Sequence, residues 1–276
     1  MTGTLTLPEP TWFVGCGNMG GAILDGWRTG GLDLAPVTVI RPSGRPVEGA
    51  RVVTAFADAG PAPRLVVLAF KPQRLDEIAP DLRQHLSANT VLVSLLAGVE
   101  AASLRQRFPG VGTVARAMPN LPVAVRRGVT GLYSPDADGQ TETELNNLFS
   151  ALGFAMWMAD EQKLAALGSV AGAGPAYVAR FIAALAKAGV KRGLTEQIAS
   201  TLAVETVFGT AWMAVTNKES MDSVAKRVAS PNGTTEAGLK VLDHDHVLDQ
   251  LIALTIDAAA RRGIELAEHA KARVDS

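Results

Sequence analysis

The chain has 276 residues, 26 Lys and Arg against 27 Asp and Glu, and 47% apolar residues. That length holds one large domain or two smaller ones around a real core, and the composition excludes a disordered chain. A net charge of −1 gives no footing for nucleic acid or an acidic membrane surface, and a single cysteine, Cys16, excludes an internal disulfide and fits a reducing compartment. Met1 to Pro10 read as a loose start without Lys, Arg or a long apolar run, so no signal peptide is expected. No stretch is expected to span a bilayer, and the cytoplasm is the expected location.

Trp12-Phe13-Val14 is a short apolar strand that breaks into Gly15-Cys16-Gly17-Asn18-Met19-Gly20. A helix is expected next, through Ala22, Ile23, Leu24 and Trp27. Strand, glycine turn and helix start come in the order a dinucleotide requires. Gly15 permits the turn, Gly17 lets the backbone approach a pyrophosphate, and Gly20 lets helix and strand pack closely. The helix start offers free N–H groups and the positive end of its dipole to the anion. Cys16 fits as a small residue filling the turn, with a reactive thiol at a helix start as the alternative.

Val37 to Arg41 reads as a second strand. Arg41 to Val52 carries two prolines and two glycines, too little for a crossover helix, and predicts a loop. Arg41, Ser43 and Arg45 stand where an NAD-preferring fold keeps an acidic residue, and they suit a 2′-phosphate. Leu65 to Phe70 is fully apolar and Thr90 to Leu96 largely so, as in central parallel strands covered on both faces. Between them Leu75, Ile78, Leu82 and Leu86 recur at helical spacing, with Pro72 in the first turn. Further strands are expected at Gly112 to Ala117, Gly128 to Tyr133 and Phe154 to Met158, and Leu145, Leu148, Phe149 and Leu152 mark a helix between the last two. The alternation predicts an α/β fold with a mostly parallel sheet.

After about Asp160 strand signals stop. A long helix is expected from Leu164 to Gly193, interrupted near Gly172-Ala173-Gly174-Pro175. Thr195 is placed to N-cap a helix reaching Val215, and further helices are expected at Lys218 to Val228, Thr235 to Leu242 and Val247 to Ala270. The division is therefore residues 1–160 and an all-helical 161–276. The helical part is too apolar for a small lone bundle, which points to a second copy of the chain as its cover.

In an open parallel sheet, ligands sit beyond the carboxyl ends of the strands. Candidate positions there are the glycine turn, Arg41 and Ser43, Ala69-Phe70-Lys71-Pro72, Ala97 within Leu96-Ala97-Gly98-Val99, and Asn120 within a turn held by Pro119 and Pro122. In the helical part, Ser230-Pro231-Asn232-Gly233-Thr234-Thr235 brings three hydroxyls and a helix start together. It is either a cup for a small carboxylate or an ordinary N-cap by Thr234 or Thr235. Asp243-His244-Asp245-His246 has metal-like residues, but no partner motif, and reads as a solvated loop; no metal is expected.

These motifs, with Arg116-Ala117-Met118-Pro119-Asn120 and Gly172-Ala173-Gly174-Pro175-Ala176-Tyr177, occur in the order and spacing of the pyrroline-5-carboxylate reductases, which the chain resembles from about Trp12 to Glu268. The resemblance implies an N-terminal Rossmann domain, a C-terminal helical dimerisation domain, often rings of dimers, NADPH or NADH as cofactor, and reduction of a cyclic imino acid to L-proline. It implies that Val14, Gly15, Cys16, Gly17, Asn18 and Met19 hold the pyrophosphate and that Arg41 and Ser43 meet the 2′-phosphate. Ala69, Phe70, Lys71, Pro72, Ala97 and Asn120 line the ribose and nicotinamide. Ser230, Gly233, Thr234 and Thr235 grip the substrate carboxylate, with Thr235 and Ser230 nearest the chemistry. The chain departs from the family pattern at Leu121, Ala171, Ala173 and Asn232. Alternatives are a reductase of another cyclic imine or a hydroxy acid, or a cofactor-binding relative without catalysis.

Overall fold

Along β1 (Thr11–Val14) successive side chains leave the backbone on opposite faces, and both faces are covered. Phe13 joins one core and Trp12 and Val14 another. The same alternation runs through β2 (Val37–Ile40), β4 (Leu65–Leu68) and β5 (Val91–Ser94), so these strands are largely apolar, interrupted only by Thr38 and Ser94. On one face lie α1 (Asn18–Thr29) and α4 (Gly139–Ser150); on the other, α2 (Leu75–Leu82) and α3 (Ala101–Arg107). Trp27 of α1 is fully buried, meets Phe13 edge to face, and donates its indole N–H to the Leu148 carbonyl of α4 at 2.8 Å.

The remaining strands are β3 (Arg51–Val53), β6 (Thr113–Pro119), β7 (Gly128–Tyr133) and β8 (Gly153–Trp157). The eight form one sheet in the order β3-β2-β1-β4-β5-β6-β7-β8. Every pair is parallel except β6 with β7. The order reverses direction between β1 and β4, which creates the crevice a doubly wound sheet offers to a ligand. The computed structural model describes residues 5–272.

The helical part consists of α5 (Glu161–Leu167), a π-helical turn at Gly168–Gly172, α6 (Gly174–Lys191), α7 (Glu196–Asn217), α8 (Met221–Val228), α9 (Thr234–Asp243) and α10 (Val247–Ala272). Thr195 caps α7 as expected, its hydroxyl accepting from Ile198 N at 3.3 Å. The described chain folds as two compact units, residues 5–173 with 259–272, and 174–258.

Several expectations need correction. The Arg41–Val52 link holds no helix, as expected, but Arg51–Val53 ends it as a short edge strand. Helix α3 was not expected, because seven residues give under two turns and no readable period. The Met118–Pro119 turn is strand, and a 3-10 turn at Leu121–Val125 follows it. Of the loose start, residues 1–4 lie outside the described residues, and Leu7 is buried in the core. Two helical stretches, Glu161–Lys191 and Glu196–Asn217, are long and apolar enough to cross a membrane, contrary to expectation. Their hydropathy comes from dispersed Ala, Val and Leu rather than a conspicuous Leu/Ile run. Helix α7 is apolar on all sides, yet only Ala199, Ala203 and Ala214 are buried on it. A helix of that kind is a core element awaiting a cover.

Candidate functional site

Hydrogen bonds at the strand ends bring the expected cofactor positions onto one edge. Gly15 N donates to the Ile40 carbonyl at 2.8 Å, so the glycine turn lies beside the end of β2, where Arg41 follows. Ala69 N donates to the Val14 carbonyl at 2.8 Å, and Leu95 N to the Leu68 carbonyl at 3.0 Å. With β6 parallel to β5, the order along the edge is Arg41 and Ser43, the glycine turn, Ala69 to Pro72, Ala97, then Asn120. At roughly 4.8 Å per strand, four steps cover about 19 Å, a span suited to an extended two-nucleotide ligand.

The glycines differ in what they allow. Gly15 has φ +82°, and a Cβ there would stand 2.7 Å from the Ala69 carbonyl oxygen. A Cβ on Gly20 would meet the Ala69 Cβ at 3.0 Å, so helix and strand are in contact at that point. In front of Gly17 a Cβ would meet nothing within 4 Å. Gly17 is the N-cap of α1 and supplies no side-chain acceptor, and the first turn carries no acidic residue. The dipole's positive end is therefore presented across open space, and these residues fit a pyrophosphate.

Arg41 Nε donates to Ser43 Oγ at 3.0 Å, so the two residues expected at a 2′-phosphate are already joined. Burial holds the Cys16 thiol above its ordinary pKa, against an opposing pull from Arg41. The thiol is therefore protonated at neutral pH, the opposite of the activated cysteine considered from sequence. Lys71 and Ala97 are exposed at the edge, while Ala69, Phe70 and Pro72 are half-buried.

Asn120 is 6% exposed, and its carboxamide is committed to the protein. Oδ1 accepts from Val129 N at 2.8 Å and Nδ2 donates to the Ala171 carbonyl at 3.0 Å. It ties the end of β6 to β7 and to the π-helical turn. A second tie, missed from sequence, is the buried Arg116 in ion pair with Glu161, whose other oxygen accepts from Ala101 N at 2.7 Å.

In the second unit, α9 begins one residue earlier than expected, with Gly233 as N-cap. Thr234 and Thr235 are therefore not capping residues, and the ordinary-cap reading falls. Gly233 N donates to the Ser230 carbonyl at 2.9 Å, and a Cβ on Gly233 would collide with Ser230 Oγ. Among the described residues no hydrogen bond engages the hydroxyls of Ser230, Thr234 or Thr235. Sequence reasoning missed Glu236, which accepts from Asn232 N at 2.5 Å; the signal was an acid at the third helical position after a turn. His244 pairs with Asp245 at 3.0 Å on an exposed turn, and no cluster of three potential metal ligands occurs among the described residues.

A doubly wound sheet with an anion-ready glycine turn at its first helix is the arrangement of dinucleotide-binding proteins, and the chain's relatives narrow it to NAD(P)-dependent oxidoreductases. Residues 12–98 match the family described as NADP oxidoreductase coenzyme F420-dependent, and residues 161–266 match pyrroline-5-carboxylate reductase dimerisation. The pyrroline-5-carboxylate reductase of Pseudomonas aeruginosa is 34% identical over 93% of this chain and 96% of its own length; that of Pisum sativum is 33% identical over 92% and 94%. The solved structure of the Coxiella burnetii pyrroline-5-carboxylate reductase superposes with a TM-score of 0.86 at 29% identity, covering 95% of this chain and 99% of that one. The fold is shared too with the Plasmodium falciparum pyrroline carboxylate reductase solved with NADP bound, at a TM-score of 0.84, 22% identity, and coverage of 94% and 98%. The chain belongs to the pyrroline-5-carboxylate reductase family.

Proposed function

We propose that the chain reduces 1-pyrroline-5-carboxylate to L-proline at the expense of NADPH, with NADH as the weaker donor. This is the last step of proline biosynthesis, which we place in the cytoplasm. Residues 1–160 act as the dinucleotide domain and 161–276 as the helical domain that binds substrate and pairs with a second copy. The dimer is the basic unit, with rings of dimers as the larger assembly. The observation that carries the reading is the succession of expected cofactor positions along one carboxyl edge of the sheet. Family membership supplies the substrate class.

Val14 to Met19 hold the pyrophosphate: Val14 and Gly15 shape the turn, Gly15 N being used on the Ile40 carbonyl, while the N–H groups at the helix start, Asn18 and Met19 among them, face the anion beside Cys16, and Gly17 admits it because nothing stands before its Cα. Arg41 and Ser43 take the 2′-phosphate as charge-assisted donors. Ala69, Phe70, Lys71, Pro72 and Ala97 border the ribose and nicotinamide, and Asn120 positions that border through its two internal bonds. When bound, the nicotinamide supplies a hydride. A protonated imine is already electrophilic, so the protein's task is alignment rather than strong acid catalysis. Ser230, Gly233, Thr234 and Thr235 hold the carboxylate, and the Thr235 hydroxyl orients the ring nitrogen and keeps its proton in place.

The reading is tested by following NADPH oxidation with pyrroline-5-carboxylate beside a six-membered imino acid and a hydroxy acid. Preference for the five-membered ring is expected. Preference for the larger imine would favour the alternative that Leu121, Ala171 and Ala173 suggest, an apolar pocket for another substrate. Cofactor binding with no oxidation by any of them would leave a binding protein.

A further inference from the structure

We propose that Glu236 is a positioning residue that clasps the substrate loop into its receiving shape before substrate arrives; this rests on the carboxylate-binding role given above to Ser230–Thr235. Asn232 sits in left-handed backbone, φ 57°. A side chain there is disfavoured unless something holds it, asparagine being the most tolerant after glycine. What holds it is the Glu236 carboxylate, whose Oε2 accepts from Asn232 N at 2.5 Å, a charge-assisted bond. Its other oxygen, Oε1, meets Lys240 Nζ at 3.4 Å, one turn further along α9. Glu236 and Lys240 are one helical turn apart on the same face of α9, and Glu236 reaches back from its first turn to Asn232, which precedes the N-cap.

The clasp decides which donors remain for a ligand. Gly233 N is used on the Ser230 carbonyl, and Ala237 N on the Gly233 carbonyl at 3.2 Å. Asn232 N is used on Glu236. Left for a carboxylate are the first-turn N–H groups of Thr234, Thr235 and Glu236, which have no partner within the helix, and the hydroxyls beside them. Glu236 thereby fixes both the backbone turn and the direction those donors face. Loss of such pre-organisation appears as weaker substrate binding, while the chemical step of bound substrate is spared.

The test compares wild type, Glu236→Ala and Glu236→Gln in steady-state kinetics with pyrroline-5-carboxylate at saturating NADPH, beside hydrogen exchange of the peptide spanning 229–235. Glu236→Ala is expected to raise KM for the imino acid about tenfold, the loss of one charged hydrogen bond, with kcat within about twofold. KM for NADPH should stay put, and exchange at Asn232 N should quicken. Glu236→Gln, whose amide oxygen accepts the same bond, should restore most of the affinity and the protection. Unchanged KM in Glu236→Ala would overturn the proposal. So would a Gln variant as impaired as the Ala variant, a Gln variant that binds substrate more tightly than wild type, or a parallel rise in KM for NADPH. If wild type turned over no imino acid, the reductase reading would fall by itself. Exchange would then decide the clasp, with equal rates in wild type and Glu236→Ala overturning it.

Discussion

The carbonyl oxygen of Ala69 stands 2.7 Å from the place a Cβ on Gly15 would occupy, whereas a Cβ on Gly17 would meet nothing within 4 Å. Two alanine substitutions in one turn should therefore fail differently. Gly15→Ala meets both a positive φ and a backbone clash, and should cost about 2–4 kcal/mol of stability. Gly17→Ala should leave the melting temperature within a few degrees of wild type, yet weaken NADPH binding at least about tenfold, because its methyl takes the pyrophosphate's approach. Thermal melts and fluorescence titration separate the two. Equal melting temperatures would contradict the geometry.

Arg41 joined to Ser43 at 3.0 Å makes a ready phosphate contact. Arg41→Ala should weaken NADPH binding about 10–100-fold, the value of a charged hydrogen bond, and change NADH binding little. Direct titration with both nucleotides checks this. A matching loss for NADH would move Arg41 away from the 2′-phosphate.

Removing the Asn120 carboxamide leaves the half-buried Val129 N and Ala171 carbonyl without their partner. Asn120→Ala should cost about 1–3 kcal/mol. Asn120→Asp keeps the acceptor toward Val129 but sets a carboxylate oxygen against the Ala171 carbonyl, and should be no better. Urea unfolding measures both. An Asp variant as stable as wild type would remove the bond to the π-helical turn from the account.

Burial raises the Cys16 pKa, with Arg41 opposing. The fold therefore favours the neutral thiol. That preference is complete below the ordinary thiol value of about 8.5, and is lost as pH rises through the higher folded value. Alkylation at neutral pH should run slower than for a free thiol, climb only in alkaline solution, and be blocked by NADPH. Rapid neutral alkylation would contradict it.

Phe208 and Trp212 stack on the outer side of α7 with 62% and 52% of their surfaces exposed. Apolar surface of that kind requires a cover. If the proposed dimer forms through this face, Phe208→Glu together with Trp212→Glu should shift sedimentation from dimer toward monomer. An unchanged mass would place the dimer contact elsewhere.

The sheet was legible because burial on both faces writes each central strand as an apolar run, and because the glycine turn marks where the first strand ends. Arg51–Val53 was not legible, since a three-residue edge strand with a charged side chain has no pattern of its own. The membrane-length helices were misread because their apolar residues are dispersed among Ser, Thr, Gly and charged residues rather than gathered in one run. At the site, residue types suggested the phosphate and carboxylate donors. They did not reveal that Asn120 is spent internally, nor that Glu236 folds back on Asn232, because both depend on which backbone group comes within reach after folding. The Ser230–Thr235 turn was ambiguous for a related reason: one residue of register decides whether Thr234 caps a helix or keeps its hydroxyl for a ligand.

The most direct measurement is the stoichiometry of product against cofactor. Purified protein is given pyrroline-5-carboxylate and NADPH, and L-proline is quantified beside the NADPH consumed. One L-proline per NADPH, with turnover falling sharply in Thr235→Ala and Thr235→Val, is the expected result. No proline above the protein-free control would contradict the reductase account, and near-wild-type rates in both Thr235 variants would remove that hydroxyl from the mechanism.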